Sequence, residues 1–241
     1  MEYGHGTDTG RQRDNNQDSY CVCPELGLFI VADGLGAYMG GEVASAMVTD
    51  TVMEKVRSGM SVRAALQVAH EEILRGASID ESVSNMASTA VVLKLDGNGY
   101  EVSWVGDSRA YMWDSAGLRQ LTCDHSYVQS LIDVGSLTKE DVKYHPKRHV
   151  MTQALGWVGA ANVEVDTVSG IFCKGEKILL CSDGLTDVLE EGEMIEIIAG
   201  CGNDQHIVDA LIQKANDNGG FDNITAILVS SHPRVSLGRQ P

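Results

Sequence analysis

Between residues 89 and 113 the chain lays down three short runs of strand-forming residues, 89–95, 100–105 and 109–113. Asp96-Gly97-Asn98-Gly99 separates the first two, and Ser115-Ala116-Gly117 follows the third. Gaps this short hold hairpin turns and leave no room for the crossover that parallel strands require, so these strands must pair antiparallel. Two more strong strands are predicted at 177–181 and 224–230, and a buried one at 26–32 breaks at Asp33-Gly34. Helical spacing governs other stretches. Val43, Met47, Val48, Val52 and Val56 recur every three to four positions in 41–57, and Val62, Leu66, Ala69 and Ile73 repeat the pattern. Residues 194–198 and 207–215 are also predicted helical. Strands in runs with helices grouped around them give an α+β fold of mainly antiparallel sheets covered by helices, not a βαβ repeat. No GxGxxG or P-loop motif is present.

The length, 241 residues, and the absence of a Pro/Ser-rich linker or charge block favour one domain, 1–232, with a disordered tail at 233–241. Residues 124–156 stand apart: polar, interrupted by His145-Pro146, with helix starts expected near Ser126 and Thr138. They read as an excursion that sits over a site. Formal charge is −16, from 34 acidic and 18 basic residues, which makes nucleic acid a poor partner. Apolar runs are too short to cross a bilayer and no secretory leader is evident, so a cytoplasmic monomer is expected. Six cysteines show no CxxC pairing and are expected as reduced thiols, with Cys21 and Cys23 side by side on one strand.

Three aspartates share a local setting. Asp33 follows a strand and precedes Gly34; Asp183 follows a strand and precedes Gly184; Asp222 sits just before a strand, after Gly219-Gly220-Phe221. If the last strand runs antiparallel to the other two, all three carboxylates meet at one rim. Clustered like charges repel unless cations neutralise them, and an all-oxygen set selects Mg²⁺ or Mn²⁺. Asp-Gly pairs are also ordinary turn formers, and spacing alone leaves both readings open.

Seven motifs in order resemble the PPM family (type 2C) of metal-dependent Ser/Thr protein phosphatases, in its compact bacterial branch. They are Gly10-Arg11-Gln12-Arg13 with Asn15-Asn16-Gln17-Asp18; Val31-Ala32-Asp33-Gly34-Leu35-Gly36; Gly40-Gly41-Glu42-Val43-Ala44-Ser45; Val105-Gly106-Asp107-Ser108-Arg109-Ala110-Tyr111; Leu121-Thr122-Cys123-Asp124-His125-Ser126; Leu180-Cys181-Ser182-Asp183-Gly184-Leu185; and Asp222-Asn223-Ile224-Thr225. The resemblance implies a four-layer α-β-β-α sandwich. It implies two Mn²⁺ or Mg²⁺ ions held by Asp33, which bridges them, the Gly34 carbonyl, Asp183 and Asp222. Asp18 would hold metal-bound water, and Asp124 with Asp183 a third, weaker ion. Arg13 would grip the substrate phosphate, as its planar fork suits. The implied reaction is direct attack of metal-bound water on phosphoserine or phosphothreonine in proteins, without a phosphoenzyme, opposing a partner Ser/Thr kinase. Residues 124–156 would be the flap beside the site.

The chain departs from the family where Leu35 stands at a position that is His in animal members, so no general acid is assigned. Gln17 stands where those members have Glu, and Ala37 replaces a usual glycine, implying an altered loop. His125, His145 and His149 read as flap or surface residues, Trp104 and Trp113 as core, and Asp107 as a turn residue beside the site. A fold that lost catalysis, or a phosphatase of small phosphate esters, are the competing functions. The first is disfavoured because no matching aspartate is missing.

Overall fold

Alternation along β3 (Leu28–Leu35) sets the architecture: Phe29 and Val31 point into one buried apolar cluster, Leu28, Ile30 and Ala32 into another. The computed structural model describes residues 1–36, 40–79, 85–157, 163–200 and 202–231. The loop at 37–39, Cys201 and the tail at 233–241 lie outside them. Before β3 come β1 (Glu2–Asp8) and β2 (Asp18–Cys23); after it come α1 (Gly40–Arg57), α2 (Val62–Ile79), β4 (Ala87–Ser88), β5 (Ala90–Asp96) and β6 (Gly99–Val105). Then follow β7 (Arg109–Asp114), β8 (Gly117–Gln120), α3 (Tyr127–Asp133), β9 (Asp166–Ile171), β10 (Lys177–Cys181), α4 (Asp183–Thr186), α5 (Glu191–Ala199), α6 (Asp204–Asp217) and β11 (Ile224–Ser230).

One sheet has the order β1-β11-β10-β7-β8, the other β2-β3-β5-β6-β9, with β4 beside β3. Every pairing is antiparallel. Phe29, Val31, Val91, Leu93, Ile178, Leu180, Ile227 and Val229 fill the space between the sheets. On the second sheet's outer face, Leu28, Ile30 and Ala32 pack with Val48, Val52, Leu66 and Ile73 of α1 and α2. On the first sheet's outer face, Leu179, Cys181 and Leu228 pack with Val208 and Leu211 of α6 and Met194 of α5. The result is the expected four-layer α-β-β-α sandwich.

Helix starts are locally encoded. Ser126 caps α3 by accepting from the Gln129 N–H, Asn203 caps α6 by accepting from the His206 N–H, and Glu190 with Glu193 form a capping box at α5. The helix expected near Thr138 does not form. Its hydroxyl donates to Asp141 Oδ2 at 2.8 Å, and only a 3₁₀ turn at Val142–Tyr144 follows. Residues 134–150 have too few apolar side chains to bury a helical face. Strand β1 is polar and glycine-rich, yet it carries α6, because a Cβ on Gly4 would run into the Asp204 and Gln205 backbone. The five described cysteines are free thiols, and Cys21 and Cys23 pack on the same cluster. No helix among the described residues is long and apolar enough to cross a membrane.

Candidate metal centre

The end of β3, the end of β10 and the start of β11 lie at one rim of the sandwich, because β11 runs antiparallel to β10 with Cys181 opposite Ala226. In the other sheet Asp18 is directly opposite Asp33. Asp18 joins the sheets: its Oδ2 accepts from the Ser182 hydroxyl at 2.8 Å and the Thr225 hydroxyl at 2.6 Å. The Thr225 N–H in turn donates to Ser182 Oγ at 3.0 Å, so both hydroxyls are oriented. These two residues went unassigned in the sequence reading; each is a hydroxyl close in sequence to a rim aspartate.

Asp33 is fixed through its backbone. Its N–H donates to Thr89 Oγ1, and its carbonyl accepts from the Thr89 N–H and the Ser88 hydroxyl. Gly34 lies in a cradle that no side chain fits: a Cβ there would meet the Gly41 carbonyl and, at 2.5 Å, the Gln17 oxygen. Asn223 fastens the loop that bears Arg13. Its Nδ2 donates to the Thr9 and Asn15 carbonyls, both at 2.9 Å, and its Oδ1 accepts from the Gln17 N–H at 2.8 Å. Arg13 thereby reaches the rim, its Nη2 2.6 Å from Asp222 Oδ2, with half of its side chain still open to solvent.

The electrostatics are those of crowded carboxylates. Burial pushes Asp33 well above the usual carboxylate range, and repulsion from Asp18, Asp183, Asp107 and Asp222 adds to it. Asp183 is likewise raised, by burial first and then by Asp107, Asp187, Asp222 and Asp18. Burial lifts Asp18 to about 6 against the pull of the Thr225 and Ser182 hydroxyls. Asp107, beside Asp124, is also pushed up to about 6, again chiefly by burial. Asp18 Oδ1 and Asp183 Oδ1 are buried and take no hydrogen bond from the described residues. Orphan oxygens among repelling carboxylates, with no thiolate in the set, fit hard divalent cations.

Of the expected residues, Arg13, Asp18, Asp33, Gly34, Asp183 and Asp222 are brought together at this rim. Asp124 is engaged differently: the Arg109 fork holds it with contacts of 2.6 to 3.0 Å, and Gln120 donates at 3.0 Å. Asp107 lies beside the site, near enough for its charge to raise Asp33 and Asp183. Two histidines of the 124–156 segment also matter here. His125 is buried, its Nδ1 accepting from the Gly106 N–H and its Nε2 facing Asp166 at 3.3 Å. His149 Nδ1 is 3.3 Å from Asp187 Oδ2. His149, Asp183 and Asp187 each bring a ligand atom within 4.8 Å of the others.

The chain and its fold have counterparts among known proteins. The protein phosphatase 2C family signature matches residues 5–202. The chain is 36% identical over 236 residues to the serine/threonine phosphatase stp of Listeria monocytogenes, covering 92% of this chain and 93% of that one. It is 32% identical over 241 residues to the protein phosphatase PhpP of Streptococcus pneumoniae, with 95% and 97% covered. Among solved structures, the Mycobacterium tuberculosis serine/threonine phosphatase PstP/Ppp superposes with a TM-score of 0.87 at 28% identity, over 95% of this chain and 98% of that one. The catalytic domain of a serine/threonine phosphatase PstP in complex with two manganese ions superposes at 0.83 and 27% identity, covering 94% and 96%.

Proposed function

The chain belongs to the protein phosphatase 2C family and is a metal-dependent protein serine/threonine phosphatase, and from that premise we propose how its own residues divide the work. Asp33, the Gly34 carbonyl, Asp183 and Asp222 would hold two divalent ions, Mn²⁺ or Mg²⁺. When bound, such ions lower the pKa of a water and offset charge on the phosphoryl oxygens. Asp18, fixed between the Ser182 and Thr225 hydroxyls, keeps Oδ1 as an acceptor that would orient such a water. Arg13, half exposed and anchored through the loop that Asn223 fastens, turns its fork to the substrate phosphate. A third, weaker ion would draw on Asp183 and Asp124; Asp124 is paired with Arg109, and His149 and Asp187 lie close to Asp183.

The observation that carries this reading is the meeting of Asp18, Asp33, Asp183 and Asp222, from distant parts of the chain, with two of their oxygens left without a donor. The substrates are phosphorylated proteins, and a Ser/Thr kinase that writes the same marks is the natural opposing partner. One domain does this as a cytoplasmic monomer.

The test is hydrolysis of a phosphothreonine peptide with Mn²⁺, with Mg²⁺ and with EDTA. Asp183→Asn or Asp222→Asn lowers kcat by about 10²-fold or more, with circular dichroism unchanged, and Arg13→Ala acts chiefly on KM. Unchanged activity in all three variants sinks the assignment.

A further inference from the structure

We infer that the flap carries a second anion subsite, formed by Lys147 and Arg148, which receives another phosphorylated residue of the same protein substrate. It rests on the phosphatase reading above and concerns which phosphoproteins that site selects.

The chain's charge is −16, so a phosphoprotein approaches against a net repulsion. One segment reverses that sign. Residues 142–151 contain Lys143, Lys147 and Arg148, with His145 and His149, and no Asp or Glu. Two of these side chains are already occupied: Lys143 Nζ is 3.2 Å from Glu190 Oε1, and His149 faces Asp187. Lys147 and Arg148 are exposed and have no carboxylate partner within ion-pair distance among the described residues.

The Lys147 head group and the backbone of this turn are held in place. The Lys147 ammonium lies 4.9 Å from the centre of the Tyr127 ring. The Lys147 N–H donates to His145 Nδ1 at 3.2 Å, the Arg148 N–H to the His145 carbonyl at 3.1 Å, and the Val150 N–H to the Lys147 carbonyl at 3.1 Å. The Tyr127 N–H donates to the Val150 carbonyl at 2.7 Å, which pins the turn to the first residue of α3.

Their position adjoins the metal centre. His149, next in sequence, brings a ring nitrogen within 4.8 Å of carboxylate oxygens of Asp183 and Asp187. Arg148 itself acts on this cluster, its positive charge pulling against the burial that raises Asp187, so a residue about three positions from the scissile site of an extended peptide is the one to test against it. A guanidinium beside an ammonium suits a phosphate dianion better than a lone carboxylate, because the fork can donate twice.

The experiment compares three phosphothreonine peptides that differ three residues from the scissile site, with alanine, glutamate or a second phosphothreonine there. p-Nitrophenyl phosphate serves as the control ester, all with Mn²⁺. The doubly phosphorylated peptide is expected to show a KM about fivefold or more below that of the alanine peptide at similar kcat. The glutamate peptide gains little. Lys147→Ala/Arg148→Ala, and the charge reversal Lys147→Glu/Arg148→Glu, abolish the gain and leave p-nitrophenyl phosphate turnover unchanged. A wild-type enzyme that does not discriminate, variants that keep the preference, or a glutamate gain equal to that of phosphate overturns the subsite. Loss of p-nitrophenyl phosphate hydrolysis by the wild type would instead strike at the phosphatase reading itself.

Discussion

Stripped of divalent ions, this protein should lose stability as the solution moves from mildly acid toward neutral, against the usual trend for carboxylate-rich proteins. Asp18 shows why. Burial lifts its pKa from 3.8 to about 6, and repulsion from Asp222 adds to this, against the pull of the two hydroxyls that donate to Oδ2. A carboxyl with a raised folded-state pKa contributes stability that is complete below its unfolded pKa and is lost as pH rises through the folded value. The window for Asp18 therefore runs from about pH 4 to about pH 6, and a shift of about two units at about 1.4 kcal/mol each makes the loss about 3 kcal/mol. For a chain of this size that is a fall in Tm of roughly 6–12 °C. Asp107, also near 6, deepens the fall over the same window. Differential scanning fluorimetry in EDTA from about pH 4 to about pH 7 measures it. Asp18→Asn should make the decline shallower by about 3 kcal/mol, since an amide does not ionise. Saturating Mn²⁺ should raise Tm most at the neutral end, where the carboxylates it neutralises are charged. A Tm in EDTA that holds or climbs across the window, or that falls equally steeply in Asp18→Asn, refutes the reasoning.

Two further perturbations test the scaffold. Gly34→Ala forces a Cβ into the Gly41 and Gln17 backbone, so urea unfolding should show a loss of about 1–3 kcal/mol, with Mn²⁺ affinity falling by calorimetry. Arg109→Ala leaves Asp124, whose side chain is only 10% exposed, without its cation, and should cost about 3 kcal/mol; Arg109→Lys should recover only part of that, because it cannot make the fork.

The layers were legible in the sequence wherever burial imposes a period. The runs at 26–32, 177–181 and 224–230 are buried on both faces, and α1 and α2 show their stripes because one side of each lies on a sheet. Strands β1 and β9 were not seen for the converse reason. Asp166, Thr167, Ser169 and Gly170 make β9 half polar, and β1 has the small residues that let α6 approach. The expected helix near Thr138 failed because a capping residue starts a helix only where an apolar face follows to be buried.

The site divides along a different line. Asp183 and Asp222 could be placed at one rim because each flanks a strand end, and strand ends follow from antiparallel order; Asp33 lies inside β3, which does not break at Asp33-Gly34 but runs on to Leu35 beside β4. What orients them could not be read. Ser182 and Thr225 act on Asp18 only because β2 of one sheet meets β10 and β11 of the other, and Asn223 gathers three backbone groups of the 9–17 loop that no spacing relates to it. Arg109 and Asp124 are 15 residues apart and meet where β7 begins. The proposed ligands are thus written locally, in or beside strands, whereas the groups that aim them are written in the packing of one sheet on the other. A substitution at Ser182 or Thr225 therefore leaves every recognisable motif aspartate in place and still unseats Asp18.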